Sequence, residues 1–209
     1  MKILFEDKYI IVCLKPVGII SQEDSQGAES MISKLRDHTN GEIFPLHRLD
    51  RDVGGVMVFA KHKKAAAVLS GDIAEHKFKK EYMAIVHGKP EENQGQMRDL
   101  LFKDSRKNKS FVVNRMRKGV KEALLDYSVT DSFVRDGEEY SLVKILLHTG
   151  RTHQIRVQFS SRKMPLAGDR KYGGNDNFKN IALWSYSITF NHPKTHEEMN
   201  FTHEPLWEF

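Results

Sequence analysis

This sequence predicts an α+β fold built on a mostly antiparallel mixed sheet flanked by helices, and two observations carry the prediction. Strand-like runs outnumber helical ones, and most neighbouring runs are joined by turns too short for the crossover that parallel strands require. The chain of 209 residues shows no internal repeat, low-complexity tract or linker, so residues 1–209 are read as one domain long enough to bury its own core.

Taken in order, Ile3–Glu6 and Tyr9–Leu14 read as short strands around an Asp7–Lys8 turn. Glu29–Arg36 carries Met31, Ile32 and Leu35 at helical spacing, and Gly55–Lys61 is a run of the buried-strand type. Lys63–His76 sets Ala65, Val68, Leu69 and Ile73 on one helical face, and Phe78–Val86 is a strand closed by Gly88 and Pro90. Ala123, Leu125, Tyr127 and Val129 alternate with Glu122, Asp126 and Ser128, and Trp184, Tyr186, Ile188 and Phe190 with Ser185, Ser187 and Thr189, the period-2 pattern of a strand with one buried face. Leu142–Leu147 is a strand, followed by a short helix over Thr152–Ser160. The stretch from Glu91 to Ser110 is the most loop-like part of the chain.

Composition excludes several classes. No apolar run approaches the roughly 18 residues of a membrane helix, and the N-terminus has acids in its apolar stretch, unlike a signal peptide. A cytoplasmic location is therefore expected. The lone Cys13 rules out an internal disulfide and lends no support to a cysteine zinc site; it reads as a small buried residue. Ten histidines are present, but none at a metal-binding spacing such as H-E-x-x-H. The net charge of +5 is concentrated: Lys103 to Lys121 holds eight basic residues against Asp104, a window of +7 that leaves the remainder at −2. Such concentration fits a polyanion partner, with a solvated loop as the alternative. Lys107, Lys109, Arg115 and Arg117 are the candidate contacts. Phe111 lies among them, within reach of a stacked base, but is expected to pack inward with Val113.

Two segments gather chemistry: His47-Arg48-Leu49-Asp50, just before Gly54 and Gly55, and Gly150-Arg151-Thr152-His153-Gln154-Ile155-Arg156. The first places an acid in a loop anchored by a buried strand. The second supplies Arg151, His153 and Arg156, donors suited to phosphate or carboxylate. A carboxylate nucleophile must stay ionised in a water-poor pocket, and a nearby guanidinium favours that form.

HRLDRDVGGVMVFAK (residues 47–61) resembles the signature of the RluA-type pseudouridine synthases. KKEYMAIVHG (79–88), HTGRTHQIRVQF (148–159) and MPLAGDRKYGG (164–174) agree in order and spacing, and Lys121-Glu122-Ala123 before a strand also fits. The match runs from Glu6 to about Phe190. It implies isomerisation of a uridine in structured RNA, with ribosomal RNA slightly favoured over transfer RNA. Asp50 would be the nucleophile, and Arg48 would fill the space left by the flipped uridine, which must leave its stack to be reached. Tyr82 would stack on the flipped uracil and Arg156 would pair with Asp50. His47, Arg151, Thr152, His153 and Gln154 would shape the pocket or contact the RNA.

The reaction the resemblance implies exchanges no atoms, so no cofactor or metal is expected, and activity is expected to survive chelators. A monomer is the default. The chain departs from the family twice. Val53-Gly54-Gly55 stands where Thr-Ser-Gly is usual, which removes hydroxyl hydrogen bonds behind the loop. The S4-type RNA-binding domain common in the family has no counterpart ahead of Glu6, so RNA binding is expected to rest on the domain's own surface.

Hydrolytic and kinase readings fit less well. A glycosidase normally needs two carboxylates across the scissile bond, and Asp52 and Asp169 are poor second acids beside Asp50. A kinase would need an Asp-Phe-Gly and a glycine-rich phosphate loop, both missing. The rival from another class is a catalytically silent RNA-binding protein on the same fold.

Overall fold

The computed structural model describes residues 1–23 and 27–207. In chain order the first elements are β1 (Lys2–Glu6), β2 (Ile10–Lys15), α1 (Met31–Thr39), β3 (Phe44–Pro45), β4 (Gly54–Ala60) and α2 (Lys63–Ala74). Next come β5 (Lys79–His87), β6 (Gln94–Asp104), β7 (Lys109–Val113), β8 (Val120–Arg135) and β9 (Glu138–Leu147). The chain closes with α3 (Gln154–Ser161), β10 (Leu183–Asn191) and β11 (Glu198–Thr202). The described residues group into two units, one of Met1–Lys80 with Trp184–Leu206 and one centred on Glu81–Leu183.

In the first unit the strand order is β1-β2-β4-β10, with β3 on β4 and β11 on β10. All these pairings are antiparallel except β4 with β10, which is parallel. The β2 and β4 strands are buried throughout, which is why IIVCL and VMVFA read as unbroken apolar runs. Ile10, Val12, Val56, Val58, Leu69, Phe78, Ile188 and Phe190 form its core. Ser30 caps α1 by accepting from the Ser33 N–H while Ser33 returns the bond, a reciprocal box that fixes the helix start. The α2 helix buries Ala65 and Leu69, whereas Val68 is exposed.

The β10 strand departs from expectation. Its alternation predicts one buried face, but Ser185 and Ser187 are buried too. Both faces of β10 are covered over this stretch, the two serines as well as Trp184 and Ile188. Ser185 Oγ satisfies itself by donating to the Val56 carbonyl at 2.9 Å.

In the second unit the order is β5-β9-β8-β6-β7, all antiparallel. The segment expected to be loop-like, Glu91 to Ser110, is mostly the 11-residue strand β6 and its turn into β7. Only Met97 and Leu101 of β6 are buried, and so few inward apolar positions leave a polar sequence with little periodicity to see. The α3 helix packs on β6 and β7 and begins later than expected, after Thr152 and His153. His153 takes a left-handed conformation at φ 53°, which turns the chain into the helix. Cys13 is buried as expected, and burial pushes its thiol up to about 12. No helix among the described residues is long and apolar enough to cross a membrane.

Candidate active site

Asp50 sits in the turn that enters β4, half-buried, with the exposed Arg48 two residues before it. The turn is fixed by groups from elsewhere in the first unit. Ser21 Oγ donates to the Leu49 carbonyl at 2.8 Å and accepts the Leu49 N–H at 2.9 Å. Beyond Asp50, the fully buried Lys15 donates to the carbonyls of Pro16 (3.0 Å), Arg51 (3.0 Å) and Val53 (2.7 Å). An ammonium has three N–H donors, and here each has a backbone acceptor. Burial pushes the Lys15 amine down to about 8, against the attraction of Asp52 and Asp50.

The glycines that follow are required by close packing. A Cβ at Gly54 would lie 2.4 Å from the Trp184 ring, and one at Gly55 would lie 2.3 Å from the Ser185 carbonyl oxygen. Gly55 also has φ +123°, a conformation side chains rarely adopt. Gly54 therefore replaces the expected hydroxyl residue because an indole fills its place, and Lys15 holds the carbonyls of the loop. Neither Lys15 nor Ser21 stands out in the sequence. The available signal for Lys15 is a lysine closing the otherwise apolar run IIVCL.

His47 braces the same turn. β10 pairs with β4 at Gly54 and Gly55, and β3 pairs with it at Phe59 and Ala60, leaving a break between them. His47 Nε2 accepts the Val58 N–H across that break at 3.3 Å. Burial, and secondarily Lys80, pushes the imidazole down to about 3, so the ring is neutral at pH 7. Its shielded Nδ1 has no hydrogen-bond partner among the described residues. A neutral ring so placed supports the backbone and brings no positive charge to a phosphate.

In the second unit, Tyr82 is 6% exposed and lies opposite Ile145 of β9. Arg156 on α3 makes a two-pronged pair with Asp169: Nε to Oδ2 at 2.7 Å and Nη2 to Oδ1 at 2.8 Å. Both residues are buried, so the carboxylate fixes the guanidinium plane. The Arg156 guanidinium also lies 5.2 Å from the Tyr172 ring. The Tyr172 hydroxyl accepts the Ser110 N–H at 2.7 Å and meets His153 Nδ1 at 3.0 Å, while Lys109 Nζ sits 4.8 Å from the same ring. Arg156, His153 and Lys109 are thus brought together around Tyr172. In sequence Asp169 reads only as a glycine-loop acid and Tyr172 carries no signal, because both act through partners distant along the chain.

The remaining candidates have distinct places. Gln154 is 3% exposed; its side chain bonds Thr149, the Arg151 N–H and the Leu124 carbonyl, so it holds its own loop together. The Thr152 carbonyl accepts from Ser110 Oγ at 2.7 Å, and Arg151 Nε donates to the Glu122 carbonyl at 2.8 Å. Lys107 lies at the exposed β6–β7 tip, and Arg115 and Arg117 in the exposed turn between β7 and β8. Phe111 faces outward, 36% exposed, against the expectation that it packs inward. Its neighbours Ser110 and Val112 take the inner face instead. Among the described residues no group of three or more His, Cys, Asp or Glu is placed to hold a metal ion.

Residues 9–161 match the protein family described as RNA pseudouridylate synthase. The chain is 34% identical over 212 residues to ribosomal large subunit pseudouridine synthase C of Buchnera aphidicola subsp. Baizongia pistaciae. That alignment covers 96% of this chain and 65% of the relative. It is 30% identical over 224 residues to tRNA pseudouridine synthase C of Haemophilus influenzae, covering 97% and 92%. Against the first of these the chain spans about two thirds of the relative's length. The solved structure of human RNA Pseudouridylate Synthase Domain Containing 1 matches with a TM-score of 0.80 and 23% identity, over 98% of this chain and 83% of that one, a likeness of fold.

Proposed function

The chain belongs to the RNA pseudouridylate synthase family, and from that premise we propose that it isomerises a specific uridine in structured RNA, with Asp50 as the nucleophile. The observation that carries this reading is the Asp50 turn itself. Its backbone is pinned by Ser21 before the acid and by Lys15 after it, while the acid is only half-buried. A reacting group held this way loses little freedom on reaching its target.

Residues 1–209 act as one catalytic domain in this reading. The Asp50 carboxylate adds to the flipped uridine, the N1–C1′ bond breaks, the uracil turns so that C5 joins C1′, and the bond to Asp50 breaks again to restore the free carboxylate. N1 takes up a proton and C5 releases one, leaving the composition unchanged. Arg48 occupies the vacated stack, Tyr82 stacks on the uracil, and Arg156, its plane fixed by Asp169, is the cation assigned to keep the nucleophile ionised. Lys107, Lys109, Arg115 and Arg117 hold phosphates of the RNA. Of the RNA classes named for the two relatives, ribosomal RNA is favoured, at 34% identity against 30%. The enzyme works as a monomer in the cytoplasm, without a cofactor.

Pseudouridine mapping of total RNA by carbodiimide-dependent reverse-transcription stops tests the proposal. A stop that vanishes on gene deletion and returns with the wild-type gene, but not with Asp50→Asn, is the expected result. Unchanged stops in ribosomal, transfer and messenger RNA would overturn it in favour of a silent RNA-binding protein.

A further inference from the structure

The outward face of the β6–β7 hairpin has a construction that the core does not explain. In an antiparallel ladder, residues directly opposite share a face. Phe102 of β6 stands opposite Phe111 on one side and Val120 of β8 on the other. Alternation sends Leu101 and Val112 inward to the buried cluster with Ala123 and Val157, and sends Phe102 and Phe111 outward. Phe111 is 36% exposed and Met116, in the following turn, 60%. Two cations attend the pair of rings: the Arg117 guanidinium lies 5.1 Å from the Phe102 ring, and Lys109 Nζ lies 6.0 Å from the Phe111 ring.

Charge identifies the occupant. The window holding this face carries +7, whereas the rest of the chain carries −2. A polyanion is attracted here, and an aromatic ring among cations offers it a stacking surface as well. Bases inside a duplex have both faces covered by their neighbours, so away from duplex ends it is an unpaired base that has a face to offer. Resting on the RNA reading above, we propose that this face is a stacking shelf for one unpaired base of the RNA, with Phe111 as the platform and Lys109 and Arg117 at the flanking phosphates. The shelf makes the enzyme select RNA that presents a single-stranded nucleotide in addition to the target uridine.

The test uses the full chain and two fluorescent RNA probes of equal charge: a blunt two-stranded duplex with no loop, and a shorter duplex with a single-stranded flank containing 2-aminopurine. Wild type is expected to bind the flanked probe more tightly and to quench its 2-aminopurine. Phe111→Ala should weaken that binding about tenfold, within the range of one base stack, and leave binding of the blunt duplex unchanged. Phe111→Trp should restore both affinity and quenching. Thermal melting of each variant checks the fold, and Phe111→Leu keeps the test open if alanine disturbs the hairpin. Equal binding of both probes by wild type and Phe111→Ala overturns the shelf. If neutralising Lys107, Lys109, Arg115 and Arg117 still weakens both probes, the RNA reading stands without it. If neither change alters RNA binding, the hairpin is not the RNA surface and both proposals for it fail. A Phe111→Ala effect on self-association alone would mark a protein contact and likewise overturn the shelf.

Discussion

The turn that carries Asp50 and the hairpin that carries Phe111 are both short, charged segments beside strands, yet they are built in opposite ways. The turn directs its polar groups inward. A fully buried lysine, a serine and a neutral histidine occupy themselves with backbone groups, and two glycines let neighbouring chain and an indole close in. The hairpin sends Lys103, Arg106, Lys107 and an aromatic ring outward, and its β7 strand is at the sheet edge. Fixed geometry suits a reacting acid, whose value depends on position. Exposed charge and a free ring suit a partner that arrives from solution. Changes in the turn should therefore act on turnover and stability, and changes in the hairpin on affinity and its salt dependence.

Asp50→Asn tests that division most severely. Turnover, measured by tritium release from 5-tritiated uridine in RNA, should fall by on the order of 10⁴-fold or more, as for other lost nucleophiles, with RNA affinity nearly unchanged. Substantial residual turnover would remove Asp50 from the nucleophile's role.

Lys15→Met comes next. Without its three donors the turn shifts, and kcat should fall about tenfold to a hundredfold while KM changes little. Alkaline pH should act similarly, since a neutral amine has two N–H groups for three carbonyls, so wild-type kcat should decline through about pH 8, where the buried amine titrates. Stability should move the other way. With the folded value near 8 and the ordinary value 10.5, the unfolded chain holds more protons between them, and the Lys15 contribution rises with pH across that window. A Lys15→Met enzyme that keeps the wild-type alkaline limb would break the link between this amine and the turn.

Neutralising Lys107, Lys109, Arg115 and Arg117 together should flatten the plot of log affinity against log salt. The slope should change by up to about 0.7 for each single-strand phosphate that no longer meets a cation. Turnover at saturating RNA should hardly change. A large drop in kcat would show that the hairpin belongs with the turn in function. The smallest effect is structural: Gly54→Ala, with its Cβ against Trp184, should cost about 1–3 kcal/mol in thermal or urea unfolding. Trp184→Leu in the same chain should recover part of it.

The same contrast explains what is legible in sequence. Runs dominated by burial, such as IIVCL and VMVFA, declare their strands because every position obeys one rule. β6 does not, since few of its positions are buried and its outer face is made for solvent and charge. His47 and Asp50 stand out because they share a contiguous motif. Lys15, Ser21, Asp169 and Tyr172 do not, because each is defined by a partner distant in sequence: Lys15 and Val53 are 38 residues apart, and Tyr172 and Ser110 are 62. Outward Phe111 reads as core because aromatic residues in strands usually are.

Lys15 also makes the protein its own recorder of motion. Amines on the surface acylate as soon as a reagent is added, but this one is sealed under the chain it holds. A reagent reaches it only while the Asp50 turn is open. The lag between acylation of Lys15 and that of the surface lysines, read by peptide mass spectrometry, counts those openings. Comparing the lag with and without RNA would time how often the Asp50 turn lets go when RNA is bound.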